Sequence, residues 1–383
     1  MKVGFAALYD ARDINRGSGT FYHLTCEIER QGHEVTYFSA DLKPNPLATR
    51  LFRFASRTMG KKYRTFQDPF MARRIGKKLS HLMKANQCDI LLTNDYGMAG
   101  YVETNKPIFL YTDAVFPFNY ATNDHPWLAN LSWFGAKSCQ IVTRRGLHGS
   151  SFCFFPTAWA AKEAQKYGIS DDKLGIIPFG ANLEDPGRCP ASLRRLARIK
   201  QRGVLNLLFV GKDWLLKGGR IAIHTADELT RKGVACVLHL VGCTPPAEAR
   251  REYVVAHGFL APSDQRQRQQ LDALYREADF LVFPSICEGF GITAAEAAAY
   301  GLPVLGYRTR GVSEAVRNGE TGVLLELGMD GGAFAERICS MLSNASEYER
   351  LATSARHYYE QTVNWSASAA QLLLGIKQHV GRN

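Results

Sequence analysis

The chain has no Cys-x2-Cys pair, no Asp-x-Asp pair and no apolar run long enough to cross a bilayer, and each absence removes a class of protein. Its nine cysteines stand apart at 26, 88, 139, 153, 189, 236, 243, 287 and 339. An odd number without paired spacing argues against a disulfide framework or a zinc site and for a reducing cytosol, where most are small core residues. The longest apolar runs, such as Val204 to Gly211, are strand-sized, whereas a membrane helix needs about 20 apolar residues. The start is apolar, but Asp10, Arg12 and Asp13 cut it short of a signal peptide, so it reads as a first buried strand. There is no short-period repeat, coiled coil or low-complexity tract. At 383 residues the chain exceeds one ordinary core, and two domains are expected.

Acidic residues are nearly missing from one segment. Between residues 50 and 84, eleven cations (Arg50, Arg53, Arg57, Lys61, Lys62, Arg64, Arg73, Arg74, Lys77, Lys78 and Lys84) face the single Asp68, leaving +10 of the formal +11. Phe52, Phe54, Tyr63, Phe66, Phe70 and Leu79 are interleaved with them. That is the composition of a surface meeting anionic lipid or a phosphate-bearing acceptor, and the plainer reading is a solvated helix face. A basic nucleic-acid-binding protein is disfavoured, because the charge is confined and no recognition motif accompanies it, so no nucleic-acid partner is expected.

What is present is alternation. Strand-like segments at Lys2 to Ala7, Glu34 to Ser39, Ile90 to Thr93, Ile108 to Thr112, Phe152 to Phe155 and Gly175 to Pro178 are interspersed with helix-like ones, such as Phe21 to Arg30 closed by Gly32. The pattern restarts with Leu205 to Gly211, Ala235 to Gly242, Tyr253 to Phe259 and Phe280 to Pro284, with helices over Gly219 to Arg231 and Gln265 to Glu277. Such βαβ order predicts two parallel, doubly wound α/β sheets, with ligands beyond the carboxyl ends of the strands. The expected boundaries are 1–185 for the first domain, 186–203 for a junction, 204–355 for the second domain and 356–383 for a closing helix containing Trp365.

The densest chemistry lies from Pro284 to Gly306. A short strand leads into a turn freed by Gly289 and Gly291, then into an alanine-rich helix from Thr293 that Gly301 caps and Pro303 cannot continue. Backbone N–H groups of Gly289, Phe290, Gly291, Ile292 and Thr293 at a positive helix end suit a phosphate. Glu288 stands before that end and Glu296 one turn inside it, so both carboxylates can face one ligand. Upstream, Gly211-Lys-Asp-Trp-Leu-Leu-Lys-Gly-Gly219 joins a buried-type strand to a helix and carries Lys212 and Lys217, which an ordinary loop would hold only as solubilising groups.

Taken whole, these segments resemble the retaining nucleotide-sugar glycosyltransferases of family four. The Glu-x7-Glu signature falls on Glu288 and Glu296, the Lys-Gly pair on Lys217 and Gly218, and the Gly-x-x-Glu and Asn-Gly-x-x-Gly elements on the stretch from Gly311 to Leu325. The resemblance implies the GT-B fold, two Rossmann-like domains facing across a cleft, with the last helix crossing back to the first. It implies that Glu288 contacts the transferred sugar, Glu296 the ribose, Gly211, Lys212 and Lys217 the diphosphate, and Phe259 and Leu260 the base through their backbone. Lys212 stands where Arg is more usual. Gly17, Ser18 and Gly19 match the family's loop near the donor phosphates and acceptor. Many relatives carry a His near the end of the strand at Ile108 to Thr112; here Asp113 stands nearest, to orient the acceptor hydroxyl or cap the next segment.

The implied activity is transfer of a hexosyl unit from a nucleotide-diphosphate sugar, UDP before GDP, to an acceptor hydroxyl in glycolipid, polysaccharide or glycoconjugate biosynthesis. No cofactor and no metal are expected, since cations and helix amides meet the leaving diphosphate. A nucleotide-sugar epimerase shares the fold but not the Glu-x7-Glu signature, and it would need no acceptor. The expected place is cytoplasmic, peripheral to an anionic membrane if residues 50–84 meet one.

Overall fold

The computed structural model describes residues 1–39, 46–119, 130–187 and 195–381. They form two compact units, Met1–Pro178 with Ser368–Asn383, and Phe179–Ala367.

The first unit runs β1 (Lys2–Ala7), α1 (Thr20–Arg30), β2 (Glu34–Ser39), α2 (Leu47–Thr58), α3 (Pro69–Ala85), β3 (Ile90–Thr93), α4 (Tyr96–Tyr101), β4 (Ile108–Tyr111), α5 (Trp133–Gly149), β5 (Phe152–Phe155), α6 (Ala158–Gln165) and β6 (Leu174–Ile176). Its strands are parallel in the order β2-β1-β3-β4-β5-β6. β3 and β4 are buried at every residue, as expected of parallel strands covered on both faces. Leu91, Leu110 and Phe155 of the sheet meet Ala72, Ile75 and Leu79 of α3 in the core.

The second unit runs α7 (Arg195–Arg202), β7 (Leu205–Val210), α8 (Gly219–Arg231), β8 (Cys236–Val241), β9 (Val254–Gly258), α9 (Gln265–Glu277), β10 (Phe280–Phe283), α10 (Ile292–Ala299), β11 (Val304–Tyr307), α11 (Val312–Ala315), β12 (Gly322–Leu325), α12 (Gly331–Ser343) and α13 (Ala345–Gln361), and α14 (Trp365–Val380) starts in it. The parallel order β12-β11-β10-β7-β8-β9 is the Rossmann order, and it reverses between β7 and β10. Leu207, Phe209, Leu238 and Phe280 pack with Phe334 and Ile338 of α12.

Two differences from the sequence reading bear on the domain boundaries. The helical pattern over Glu347 to Gln378 breaks at 362–364, because Asn364 turns its side chain to accept from Ala367 N at 2.9 Å and so caps a new helix. Trp365 is held within the second unit, its indole donating to Asn182 Oδ1 at 2.9 Å, and the chain belongs to the first unit from Ser368. Residues 356–367, expected with the closing helix, thus lie in the second unit. The junction at 186–203 falls partly outside the described residues, and its basic run is helix α7, not linker. Arg195 is fully buried there, donating to Gly301 O at 2.8 Å and to Tyr275 O, so its charge meets carbonyls near the C-terminal ends of α10 and α9.

Candidate active site

In an open α/β sheet the ligand position is the crevice at the reversal of strand order. In the second unit that places it after β7 and β10, where the Lys212–Lys217 loop and the Glu288 turn leave the sheet. The two loops are joined through backbone: Ile286 N donates to Leu216 O at 3.0 Å. Gly218 makes this approach possible. It caps α8 at φ +76°, and a Cβ there would overlap the Pro284 carbonyl. Asp213 shapes the loop by accepting from Leu215 N and Leu216 N at 3.0 and 2.9 Å.

This scaffold brings Lys217 and Glu288 together across 71 residues, with Nζ donating to Oε1 at 2.5 Å and both side chains partly buried. Lys212 takes a different position. Its ammonium stands 4.4 Å above the ring of Phe259, which follows β9 and is half-exposed, whereas Leu260 is buried. The helix after the turn begins at Ile292, one residue earlier than expected, with Gly291 at φ +108° as its N-cap. Ala294 N and Ala295 N already donate to Gly291 O, so Ile292 and Thr293 carry the first-turn amides. Gly289 is partly exposed, while Phe290 is buried with its ring edge-on to Phe179 at 5.8 Å.

Glu296 lies one turn along α10. Burial pushes its carboxyl up to about 7, against the hydrogen bond it accepts from the Tyr275 hydroxyl at 2.7 Å. Tyr275 is fully buried and lies parallel to Tyr300 with centroids 5.0 Å apart. Tyr300 donates to Asp272 at 2.8 Å, and Arg276 pairs with the same carboxylate at 2.7 Å. Tyr275 was not singled out from sequence, because beside Leu274 it reads as a core aromatic of an amphipathic helix. Its hydroxyl is the part that matters.

In the first unit, Gly17, Ser18 and Gly19 form a left-handed turn with φ of 53, 58 and 82° before α1. A Cβ at Gly17 would overlap the Tyr9 hydroxyl. Burial, and then the charge of Asp113, pushes that hydroxyl up to about 12, so Tyr9 and Asp113 are close and Tyr9 stays protonated. Asp113 follows β4 and is partly buried. His23, the fourth residue of α1, is held neutral, its imidazole pushed down to about 4 by burial. Among the described residues, no group of three or more His, Cys, Asp or Glu is placed to hold a metal ion.

Two family profiles fall on these two units. One described as "Glycosyltransferase Family 4" matches residues 18–185, and one described as "Glycosyl transferases group 1" matches residues 205–344. The chain belongs to glycosyltransferase family four. Among curated relatives it is similar to the D-inositol 3-phosphate glycosyltransferase of Corynebacterium efficiens, 30% identical over 219 residues, covering 54% of this chain and 51% of that one. The enzyme of the same description from Thermomonospora curvata is 32% identical over 241 residues, covering 56% and 54%. The chain thus spans about half the length of the curated relatives it matches. Among solved structures it is similar to sucrose-phosphate synthase from Thermosynechococcus elongatus, with TM-score 0.71 and 19% identity over the full length of both chains. It is also similar to WaaG, a glycosyltransferase involved in lipopolysaccharide biosynthesis, with TM-score 0.66 and 16% identity over 97% and 98% of the two. The fold is GT-B, two Rossmann-like domains, as in these solved structures.

Proposed function

We propose that this family-four member is a retaining, metal-independent hexosyltransferase that uses a nucleotide-diphosphate sugar, UDP before GDP. The observation that carries the reading is the Lys217–Glu288 pair at the strand-order reversal of the second unit. An ammonium held against a carboxylate can meet a donor phosphate on one side while the carboxylate accepts from sugar hydroxyls on the other. Lys212 supplies a second cation, and the Ile292 and Thr293 amides with α10 supply a fixed positive end for the leaving diphosphate. Glu296, once ionised, accepts from the ribose hydroxyls, and the backbone at Phe259 and Leu260 meets the base. A solved relative of the same fold, Anabaena HepE, is described in complex with UDP-glucose, which supports the UDP preference.

No side chain of the site is an obvious nucleophile for a covalent intermediate, which supports attack on the face the diphosphate leaves. The bond from the anomeric carbon to phosphate oxygen breaks, the bond to the acceptor oxygen forms, and the departing phosphate takes the acceptor proton. In the first unit, Gly17, Ser18, Gly19 and Asp113 are assigned to the acceptor side, with Asp113 orienting the hydroxyl. The acceptor is a glycan or glycolipid hydroxyl, and residues 50–84 meet an anionic surface that presents it. No described helix is long and apolar enough to cross a membrane.

The experiment is incubation of the protein with UDP-sugars and an acceptor panel, with and without EDTA, followed by determination of the product's anomeric configuration. A product with the donor's configuration, formed equally in EDTA, is expected. An inverted product, or activity lost in EDTA and restored by magnesium, contradicts the reading.

A further inference from the structure

Helix α2 has its polar side inward. Its buried residues are Thr49 and Ser56. Thr49 donates to Asp68 Oδ1 at 2.8 Å, and the Ser56 hydroxyl is 2.9 Å from that of Ser132. Asp68 also caps α3, accepting from Met71 N at 2.8 Å, and it accepts from the Tyr63 hydroxyl. Polar bonds, with a side brace from Phe52 against the rings of Tyr63 and Phe134, seat the helix.

The opposite side is apolar. Leu47, Leu51 and Phe54 recur at i, i+4 and i+7, and at roughly 100° per residue they lie about half a turn around the axis from Thr49 and Ser56. They are 70%, 60% and 68% exposed, and Trp133, next to the Ser132 that anchors the helix, is 72% exposed. A helix that only packs on its own protein buries such a stripe. Arg50, Arg53 and Arg57 run beside it at i, i+3 and i+7, all exposed, followed by exposed Lys61 and Lys62.

The charge selects the occupant. A second copy of this chain would set one +10 segment against another, and a neutral apolar partner would leave the arginines unmatched. An anionic bilayer supplies hydrocarbon for the stripe and phosphates for guanidinium groups, which bind phosphate in a bidentate fork. We propose that α2 is an in-plane anchor that inserts Leu47, Leu51 and Phe54 into an anionic lipid surface while Arg50, Arg53 and Arg57 hold lipid phosphates. The inference rests on the reading that the acceptor is presented at such a surface, and it names the element that docks.

The test is flotation of the protein with vesicles of phosphatidylcholine alone or mixed with an equal amount of phosphatidylglycerol. The parent binds only the mixed vesicles, and Trp133 emission shifts to the blue, a shift that Trp133→Phe abolishes. The double variant Leu51→Gln and Phe54→Gln loses roughly tenfold or more of the affinity. Its denaturation midpoint and its stabilisation by UDP match the parent, so failure of the anchor is separable from failure of the donor site. The triple variant Arg50→Ser, Arg53→Ser and Arg57→Ser loses the salt-sensitive part of binding. Vesicle binding unchanged in the double variant overturns the proposal. So does concentration-dependent self-association that the same double variant removes, which would assign the stripe to a second copy.

Discussion

At the residue scale, the proposed donor chemistry assigns different duties to three side chains. Replacing Lys217 or Glu288 by Ala removes one preorganised charge from the leaving group or the sugar, and turnover is expected to fall roughly 100-fold or more in each. Glu296→Ala mainly weakens nucleotide binding, so KM rises more than kcat falls. Steady-state kinetics of the three variants checks the division. Glu296 also has a pH signature. Its folded value, about 7, lies above the ordinary 4.5, so the ionised form opposes folding: stability without donor is greatest below 4.5 and declines as the pH rises to about 7. Nucleotide affinity runs the other way, strengthening as Glu296 ionises through about 7. Tyr275→Phe deletes the hydrogen bond that favours the carboxylate, so the midpoint of that affinity profile moves to higher pH. An unmoved midpoint, measured by calorimetric titration of UDP across pH, would give Tyr275 a packing role alone.

At the scale of elements, the site depends on how closely two loops can pass. Gly218→Ala puts a Cβ into the Pro284 carbonyl at a left-handed φ of +76°. A loss of at least roughly 1–2 kcal/mol is expected, read as a lower denaturation midpoint together with reduced turnover, because Lys217 rides on the same turn. This also shows what sequence could and could not tell. The strands were legible because buried parallel strands are short apolar runs, and the Glu288 turn because its glycines and helix start are local. The Lys217–Glu288 pair was legible only as two motifs, since the contact spans 71 residues. The inward polar side of α2 was not legible, because Thr49 and Ser56 find their partners on α3's cap and before α5. Nor was the burial of Arg195, because the Gly301 and Tyr275 carbonyls that receive it lie 106 and 80 residues away in sequence.

At the scale of the whole molecule, the chain carries two sheets of different strand order, each matched by its own glycosyltransferase profile, and the Rossmann-ordered one carries the Lys217 and Glu288 loops. The net charge of +11 is concentrated in the other, where α2 lies, so salt is expected to weaken contact with an anionic surface while leaving nucleotide binding in the second unit nearly unchanged. Comparing vesicle flotation and UDP titration at low and high salt separates the two. The central claim is that the β7 and β10 loops of the second unit bind a nucleotide sugar through Lys217 and Glu288. Its most direct test is the thermal denaturation midpoint of the parent and of Lys217→Ala against UDP-, GDP- and ADP-sugars, since a ligand that binds only the folded state raises apparent stability as RT ln(1 + [L]/Kd). The account predicts that a UDP-sugar raises the parent's midpoint and that the lysine variant loses most of that rise while keeping its ligand-free midpoint. No rise with any nucleotide sugar, or an equal rise in the variant, would contradict it.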